Sequence, residues 1–314
     1  MKRKNKLFIL LSSFIAIIMI VLIFFPKGYK KYSYPTEFKE INLDKGLEYR
    51  TIMLAGNSSE WDEYIREIGN IIYHLQNEEY LFFYSGHNGE YTQNNVFIGM
   101  AYSKDGINWE KYGKMLDLSG EDPYVIYFNN NFYMFFEDKE EVPFRRISLA
   151  TSKDGRNWEV AKRGVINPSK FIFSWQHQDV SSPVVIQVNN GWVMIYEGRG
   201  FFNQGKFGYA YSEDLINWNK KRCPIFSGES YWDYHVVPDD IIKHDNSYIM
   251  TYHGYNKKIG EWQSGLAVSN NLKYWKTLTK DPISESDILM IFKEDTLLRI
   301  LEEHDKEIKQ YNIN

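Results

Sequence analysis

The sequence is poor in the residues that crosslink chains or bind metal ions. Its 314 residues include one cysteine, Cys223, which excludes an internal disulfide. The seven histidines are scattered without the spacing of a zinc site, and no glycine-rich phosphate loop is present. We therefore expect no resident metal and no cofactor, and a fold that is stabilised without disulfide bridges.

Dense positive charge is also absent beyond the first six residues. The net charge is −4 at pH 7, with 37 basic and 41 acidic residues in the chain. A protein that binds nucleic acid usually carries a basic patch or stripe. The composition therefore argues against nucleic acid as a partner.

Aromatic residues, by contrast, are abundant, with 24 Tyr, 20 Phe and 9 Trp. Packed β-sheets favour aromatic side chains, and carbohydrate sites use them as platforms for sugar rings. The composition fits either role and does not separate the two.

The N-terminus contains the one long apolar run. Residues 1–6 read MKRKNK, and the nineteen residues of 7–25 carry no charge. A helix of about 20 apolar residues crosses a bilayer, and basic flanking residues stay in the cytoplasm. We therefore expect a single-pass protein of the cell membrane with a cytoplasmic N-terminus.

This apolar run divides the chain into three parts. We expect a cytoplasmic basic stub and transmembrane signal anchor over 1–25, a linker over 26–45 and an extracytoplasmic domain over 46–314. A cleaved signal peptide is the alternative. The sequence FFPK at 24–27 offers no small-residue cleavage site, which favours the uncleaved anchor.

A nine-residue phrase occurs four times after residue 100. It reads AYSKDGINW at 101–109, ATSKDGRNW at 150–158, AYSEDLINW at 210–218 and AVSNNLKYW at 267–275. Its Ser and Asp side chains can bond the local backbone, and its glycines permit a turn. The phrase predicts a structural turn whose Trp packs between neighbouring units of the fold.

Each phrase closes a longer unit. An aromatic run precedes the phrase, as in FYMFFED at 132–138, and a shorter apolar run precedes that, as in PYVIYF at 123–128. The Asn-rich turn at 129–131 joins the two runs, as in a β-hairpin. Four strands in a repeat of roughly 40–50 residues are typical of a β-propeller blade. Four such blades are explicit in the sequence.

A fifth blade can be assembled from the two ends of the domain. Short strands are predicted at 288–292, 296–301 and 307–311, and residues 47–54 supply a fourth strand that closes the ring. A helix over 285–310 is the competing prediction. We predict an all-β, five-bladed β-propeller preceded by one N-terminal transmembrane helix.

The repeat and one motif resemble a known clan of enzymes. The stretch GEDPYVIYFNNNFYMFFED at 120–138 is similar to the Glu-Asp-Pro motif of family 130 mannoside phosphorylases and hydrolases. It also resembles the Asp-Pro motif of family 43 arabinosidases and xylosidases. Over roughly residues 45–311, the chain resembles this clan of five-bladed propeller glycoside hydrolases, to which families 32, 62 and 68 are related. Some members hold a calcium ion in the channel, but no residue pattern in this sequence indicates one.

Acidic residues near the predicted inner strands are the candidate catalytic groups. Inner strands line the channel of a propeller, so residues at their entry converge on one funnel. Glycoside hydrolysis needs one carboxyl group as proton donor and a second that activates water or attacks directly. We expect four blades to place acids at equivalent positions, namely Glu67, Glu121 and Asp122, Asp179, and Asp239 and Asp240. The candidate catalytic residues are Glu67, Asp122, Asp179, Asp240 and Glu197. The alternative is that these acids cap strand ends, and that Glu197 pairs with Arg199.

Asp122 is the leading candidate, because the resemblance implies that it is the proton donor. A donor must keep its proton at neutral pH, which requires burial or nearby negative charge. Alternation along a strand predicts that Glu121 faces away from Asp122. We therefore expect the nearby charge to come from another blade, from Asp179 or Asp240.

Aromatic and polar residues near these acids are the candidate sugar-binding groups. They are Trp175, His177, Trp232, Asp239, His253 and Arg199. Tryptophan offers a stacking surface, whereas the polar groups can bond sugar hydroxyls. For His253, a role as a satisfied core histidine is the alternative.

These features predict a membrane-anchored, extracytoplasmic glycosidase that acts on a polysaccharide or oligosaccharide. Asn70 and Tyr124 stand where the resemblance implies Asp and Arg, which leaves open a glycan-binding propeller without catalysis. A phosphorylase is the third possibility. It would need an anion pocket, for which Arg145, Arg146 and Arg199 are candidates.

Overall fold

The computed structural model describes Leu43 and residues 48–139, 144–293 and 296–312. The predicted transmembrane segment at 7–25 and nearly all of the linker lie outside the described residues. Within the described ranges, no helix is long and apolar enough to cross a membrane.

The described part of the chain forms five antiparallel sheets of four strands each, which are the blades of a propeller. Blade one contains β2 (Tyr64–His74), β3 (Glu79–His87), β4 (Val96–Ser103) and β5 (Glu110–Lys114). Blade two contains β6 (Gly120–Phe128), β7 (Asn131–Asp138), β8 (Arg146–Ser152) and β9 (Trp158–Ile166). Blade three contains β10 (Asp179–Val188), β11 (Gly191–Arg199), β12 (Lys206–Ser212) and β13 (Asn219–Lys220). Blade four contains β14 (His235–His244), β15 (Ser247–Asn256), β16 (Glu261–Ser269) and β17 (Lys276–Thr277).

The fifth blade joins the two ends of the domain. It contains β18 (Ile288–Lys293), β19 (Thr296–His304), β20 (Glu307–Asn312) and, as its outer strand, β1 (Tyr49–Leu54). Strand β1 pairs antiparallel with β20, from Tyr49 opposite Tyr311 to Leu54 opposite Glu307. The prediction of five blades closed by the first strand is confirmed, and the competing helix is wrong.

The nine-residue phrase forms the turn between the third and fourth strands of its blade. In the first copy, the Ser103 hydroxyl accepts a hydrogen bond from the Gly106 N–H at 2.9 Å, and the Asp105 carboxylate accepts one from Asn108 N–H at 2.8 Å. The Trp that ends the phrase packs across an interface between blades, as the second copy illustrates. Trp158 of blade two meets Phe83 of blade one edge-to-face, with ring centroids 5.9 Å apart. The phrase therefore has the structural role that its sequence predicts.

The first strand of each blade lines the channel, and the alternation of its side chains is broken by bulges. In β6 the register shifts between Glu121 and Tyr124, and Asp122 lies in the left-handed region at φ 51°. In β10 the shift lies between Ser181 and Val184, and Ser182 has φ 46°. A bulge adds a residue to one strand and turns its side chains relative to the regular pleat. Consecutive side chains can therefore face the same side at this level of the channel.

Candidate active site

One end of the channel gathers one pair of residues from each blade, and nine of these ten residues are polar. Each pair joins a residue on or just before the first strand to its partner on the second strand. The pairs are Glu67 with Ser85, Glu121 with Glu137, Ser181 with Glu197, Val237 with His253, and Asp287 with Glu303. Eight of these ten residues line one cavity of about 370 Å³, which we call the polar cavity.

This alignment corrects the predicted register of the acids. Glu67 and Glu121 are equivalent, but blades three and four place Ser181 and Val237 at this level. Asp179 lies two residues before the equivalent position. The expectation that four blades contribute acids at equivalent positions is therefore wrong.

Asp122 lies in the polar cavity next to Ser182, whose hydroxyl donates a hydrogen bond of 2.5 Å to the Asp122 carboxyl. Burial, together with the charges of Glu137 and Glu121, raises the pKa of Asp122 to about 8. The carboxyl group therefore keeps its proton at neutral pH, as a proton donor requires. The raising charges come from its own blade, so the expectation that Asp179 or Asp240 supplies them is wrong.

Glu121 faces the same cavity as Asp122, which contradicts the expected alternation. The reason is the bulge, since the left-handed backbone at Asp122 turns both side chains toward the channel. Glu121 is ion-paired with the buried Lys139 and with Arg66, the latter at 3.0 Å. Burial opposes ionisation, but these two cations hold the pKa of Glu121 at about 2.

A series of side chains in contact with one another runs from blade one to blade four. Glu67 and Asp287 share a hydrogen bond, and His253 Nδ1 lies 3.0 Å from Asp287 Oδ1 and 2.7 Å from Asp239 Oδ1. Burial and the charge of Asp287 raise the pKa of Glu67 well above its usual value. Despite its burial, His253 has a pKa well above normal because Asp287 and Asp239 surround it. His253 is therefore a cation that holds two carboxyl groups, rather than a neutral core histidine.

Asp287 is the ionised member of this chain. Burial opposes its charge, but His253 and the hydrogen bond from Glu67 keep the pKa of Asp287 well below its usual value. Asp239 lies in the narrow part of the channel, and burial raises its pKa to about 7.

Glu197 is held by hydrogen bonds from Ser181 and His235, each at 2.5 Å, and by Arg199 at 3.4 Å. Burial opposes ionisation, yet the Arg199 charge and the His235 contact keep the pKa of Glu197 well below its usual value. The ion-pair interpretation of Glu197 and Arg199 is therefore correct. Both residues line the polar cavity.

Asp179 and Asp240 do not join this group. Asp179 accepts hydrogen bonds from the Arg145 backbone and from Arg199, both at 2.9 Å, and does not line the polar cavity. Asp240 lies toward the other end of the channel, where the Tyr124 hydroxyl donates to it at 2.9 Å. The prediction that these acids share one funnel with Asp122 is therefore wrong.

Two predicted sugar-binding tryptophans have structural contacts instead, one of them fully buried and the other half-buried. Trp232 is fully buried and stacks on Tyr252, with ring centroids 5.2 Å apart. Trp175 lies against Gly198, and its indole N–H bonds the Arg222 carbonyl. Neither lines the polar cavity. Tryptophan fills large gaps beneath a sheet as well as it stacks on sugars, and the sequence alone does not separate these uses.

Trp262 is the aromatic residue that the sequence analysis missed. It lies on β16, lines the polar cavity and is 40% exposed. Its ring meets His235 and His253 edge-on, with centroids 5.0 Å away from each. His177 occupies a separate groove with Phe144, so it does not join this cavity.

Other residues that line the polar cavity and were not predicted include Glu137, His235, Asp287 and Glu303. A comparison of the second strands could have found Glu137, because FFED, IYEG and TYHG place Glu137, Glu197 and His253 in one column. Asp287 was missed because it immediately precedes its strand, one residue before the predicted start.

Two clusters in the described residues have the composition of a metal site. Asp239, His253 and Asp287 form one, and Glu67, Glu121 and Asp122 form the other, with ligand atoms within 4.8 Å of one another. In the first cluster His253 contacts both carboxylates, and in the second cluster Arg66 and Lys139 contact Glu121.

No family model matches the sequence, and a comparison with curated proteins finds no match. Solved structures, in contrast, match over most of the chain. A family 117 glycoside hydrolase from Zobellia galactanivorans aligns with a TM-score of 0.66 and 11% identity, covering 84% of this chain and 89% of that one. An endo-arabinase from Bacteroides thetaiotaomicron aligns with a TM-score of 0.61 and 17% identity, covering 80% and 94%.

A thermostable family 43 glycoside hydrolase gives a TM-score of 0.63 at 15% identity, covering 84% of this chain and 92% of that chain. The chain has the propeller fold of these glycoside hydrolases. At this level of identity the likeness concerns the fold, and an activity must be argued from the site itself.

Proposed function

We propose that the protein is a glycoside hydrolase whose active site is the polar cavity. The observation that carries this proposal is the meeting of a protonated carboxyl, Asp122, with an ionised one, Asp287, in one cavity. Glycosidases use such a pair, and environments that push two carboxyl pKa values apart assign the acid and the base. The partly exposed Trp262 offers a stacking surface for a sugar ring.

In the proposed reaction, Asp122 donates its proton to the glycosidic oxygen while the bond from that oxygen to the anomeric carbon breaks. Asp287 accepts a proton from water, whose oxygen forms the new bond to the anomeric carbon. The leaving sugar departs as an alcohol and the other product carries the new hydroxyl group. Atoms and charge balance without a cofactor.

Glu67 is placed to restore the starting protonation states. It shares a hydrogen bond with Asp287, and its carboxyl oxygen lies within 4.8 Å of that of Asp122. After one turnover Asp287 holds a proton and Asp122 lacks one. We propose that Glu67 passes a proton from Asp287 back to Asp122.

The arginines of the cavity favour hydrolysis over phosphorolysis. Arg145 contacts Glu137 at 3.3 Å, and Arg199 contacts Asp179 at 2.9 Å, so both charges are already balanced. Arg146 contacts Asp138 at 2.9 Å and lines the separate groove of Phe144 and His177. The three arginines therefore do not form a phosphate pocket.

Asn70 and Tyr124, which left open a propeller without catalysis, lie outside the polar cavity. Asn70 bonds both the N–H and the carbonyl of Val125, which ties blade one to blade two. Tyr124 donates to Asp240 at the far end of the channel. Neither departure from the family pattern alters the polar cavity.

We further propose that the enzyme is anchored in the cell membrane with its propeller outside the cytoplasm. This topology is supported by the basic residues within 1–6 and by the uncharged apolar run at 7–25. Protease added to intact cells should digest or release the propeller. Protection until lysis would contradict the proposed topology.

The activity is tested by screening 4-nitrophenyl glycosides and soluble polysaccharides for release of nitrophenol or reducing sugar. The Asp122→Asn variant keeps the shape of the side chain and removes its proton. We expect kcat to fall by about 10²–10⁴-fold, as for loss of a general acid. Asp122→Asn activity within a few-fold of wild type would contradict the assignment, and a glycan that binds without being cleaved would favour a binding protein.

A further inference from the structure

Four exposed phenylalanines lie on two connections of the propeller. Phe171 and Phe173 belong to the connection between β9 and β10, whereas Phe201 and Phe202 belong to the connection between β11 and β12. They are 62%, 79%, 70% and 88% exposed, respectively. A group of large apolar side chains in water is a sign of a binding surface.

The two connections form one surface. Gln178 N–H donates to the Arg199 carbonyl at 2.9 Å, which joins the ends of the two connections. Gly200 lies so close to Ser174 that an added Cβ would stand 2.5 Å from the Ser174 carbonyl oxygen. The phenylalanines therefore project from two segments that are packed against each other.

The connection between β11 and β12 begins next to a residue of the polar cavity. Arg199 lines the cavity, and Gly200 and Phe201 follow it directly. On the blade-two side, Arg145 lines the cavity while its neighbour Phe144 lines a groove of about 260 Å³. A chain leaving the cavity over Arg145 and Arg199 would therefore meet aromatic side chains at once.

The groove itself has the mixed chemistry of a sugar site. Phe144 and His177 stand with ring centroids 6.0 Å apart, and Asn167, Ser169 and Lys170 provide polar groups beside them. A sugar ring has an apolar face and an edge of hydroxyl groups, so it suits an aromatic surface bordered by hydrogen-bonding groups.

We propose that these residues form an extended platform for a polysaccharide chain, which continues from the active-site cavity across blades two and three. The proposal rests on the glycosidase function, and it makes a polymer the preferred substrate over a short oligosaccharide. A membrane surface suits the loops less well. Anionic bilayers attract clusters of basic residues, whereas residues 167–178 and 200–205 contain Lys170 as their only Lys or Arg.

The first test compares substrates of two lengths. The double variant Phe173→Ala/Phe202→Ala removes two exposed rings, and Tyr274→Ala removes an exposed ring at the outer edge of blade four as a control. For the double variant, we expect kcat/KM on the polysaccharide, relative to that on a 4-nitrophenyl glycoside, to fall about tenfold. The ratio should stay within about twofold in the control. An unchanged ratio in the double variant would overturn the proposal.

The second test measures binding without catalysis, so it separates this proposal from the proposed activity. Asp122→Asn protein, with and without the two Phe→Ala changes, is run in native gels containing arabinan, xylan or mannan. We expect at least one polysaccharide to retard the protein, and the Phe→Ala changes to remove most of that retardation. Absence of retardation in every gel would overturn the proposal. The same proteins are also tested for sedimentation with phosphatidylglycerol vesicles. If the Phe→Ala changes reduce binding to the vesicles and leave binding to the glycan unchanged, the surface docks on a membrane and the proposal is overturned.

Discussion

The two ends of the channel differ although each holds a buried carboxyl group with a raised pKa. At the polar end, burial and neighbouring acids raise the pKa of Asp122 to about 8. At the other end, burial raises the pKa of Asp240 to about 7. Asp122 shares its cavity with an ionised Asp287, whereas Asp240 is bonded by the Tyr124 hydroxyl and the Ile241 N–H.

The surroundings explain why one end is a candidate active site and the other is not. The cavity of Asp240 is larger, about 740 Å³, but its walls are mainly Tyr, Ile, Val and Trp side chains. Catalysis needs several groups in different protonation states around one point, which a single buried acid does not provide. A raised pKa alone is therefore a weak sign of function.

The two ends are separated by a narrow level of the channel. Pro123, Pro183 and Pro238 from three neighbouring blades line it, and the free space there is about 20 Å³. The acids with which the inner strands line the polar cavity, Glu67, Glu121 and Asp122, come before this level, whereas Asp240 and its mainly apolar neighbours come after it. The position of each acid relative to this level therefore contributes to the difference between the ends.

The largest expected contrast between the ends is in catalysis. Asp287→Asn removes the ionised carboxylate that accepts the proton of water, so we expect kcat to fall by about 10²–10⁴-fold. Asp240→Asn makes the same chemical change at the apolar end and should stay within about threefold of wild type. Measurement of kcat on the substrate found by screening checks both. Equal losses in the two variants would break the distinction between the ends.

A second contrast separates the cavity wall from the blade interior. Trp232→Ala empties a fully buried site against Tyr252, so we expect about 3–5 kcal/mol less stability in urea denaturation. Trp262→Ala, at the mouth, should cost about 1 kcal/mol or less but weaken substrate binding. The assignment of Trp232 as structural would be wrong if its loss reduced affinity for the glycan without reducing stability.

The smallest expected effect is on stability, and here the two ends should agree. A carboxyl group with a raised folded-state pKa binds its proton more tightly in the folded protein, so its ionisation destabilises the fold as pH rises from about 4 to about 8. Asp122→Asn and Asp240→Asn should each remove this penalty. We expect Tm at pH 9 to rise by about 2–4 °C for each kcal/mol recovered.

The control for this prediction is the same measurement at acidic pH. Near pH 3 both carboxyl groups are protonated in the folded and unfolded states, so the variants should melt close to wild type. Scanning calorimetry at both pH values provides the comparison. A gain that is equally large at pH 3 would trace the effect to packing rather than to ionisation.

The architecture was predictable because its signals are local and repeated. Each phrase encodes its own turn, as the bonds of Ser103 and Asp105 illustrate, and each hairpin has turn residues between two strand-like runs. The closing strand Tyr49–Leu54 was predictable because the last blade had three strands and needed a fourth. These inferences require no knowledge of how distant residues meet.

The site was only partly predictable because it depends on single backbone irregularities. Asp122, Glu67, Glu197, Arg199 and His253 were predicted, and they do line one cavity. The positive φ at Asp122, however, is not visible in the sequence, and it brings Glu121 to the same face. A shift of one or two residues along a strand likewise decides whether an acid reaches the polar end, as Asp240 demonstrates.

The central claim, that Asp122 is the proton donor of a glycosidase, is tested most directly by the pH dependence of kcat/KM. Wild-type kcat/KM should fall above a pKa of about 8, as Asp122 loses its proton. The residual activity of Asp122→Asn should lack this alkaline limb. An alkaline limb that persists unchanged in Asp122→Asn would show that another group donates the proton, and the account would be contradicted.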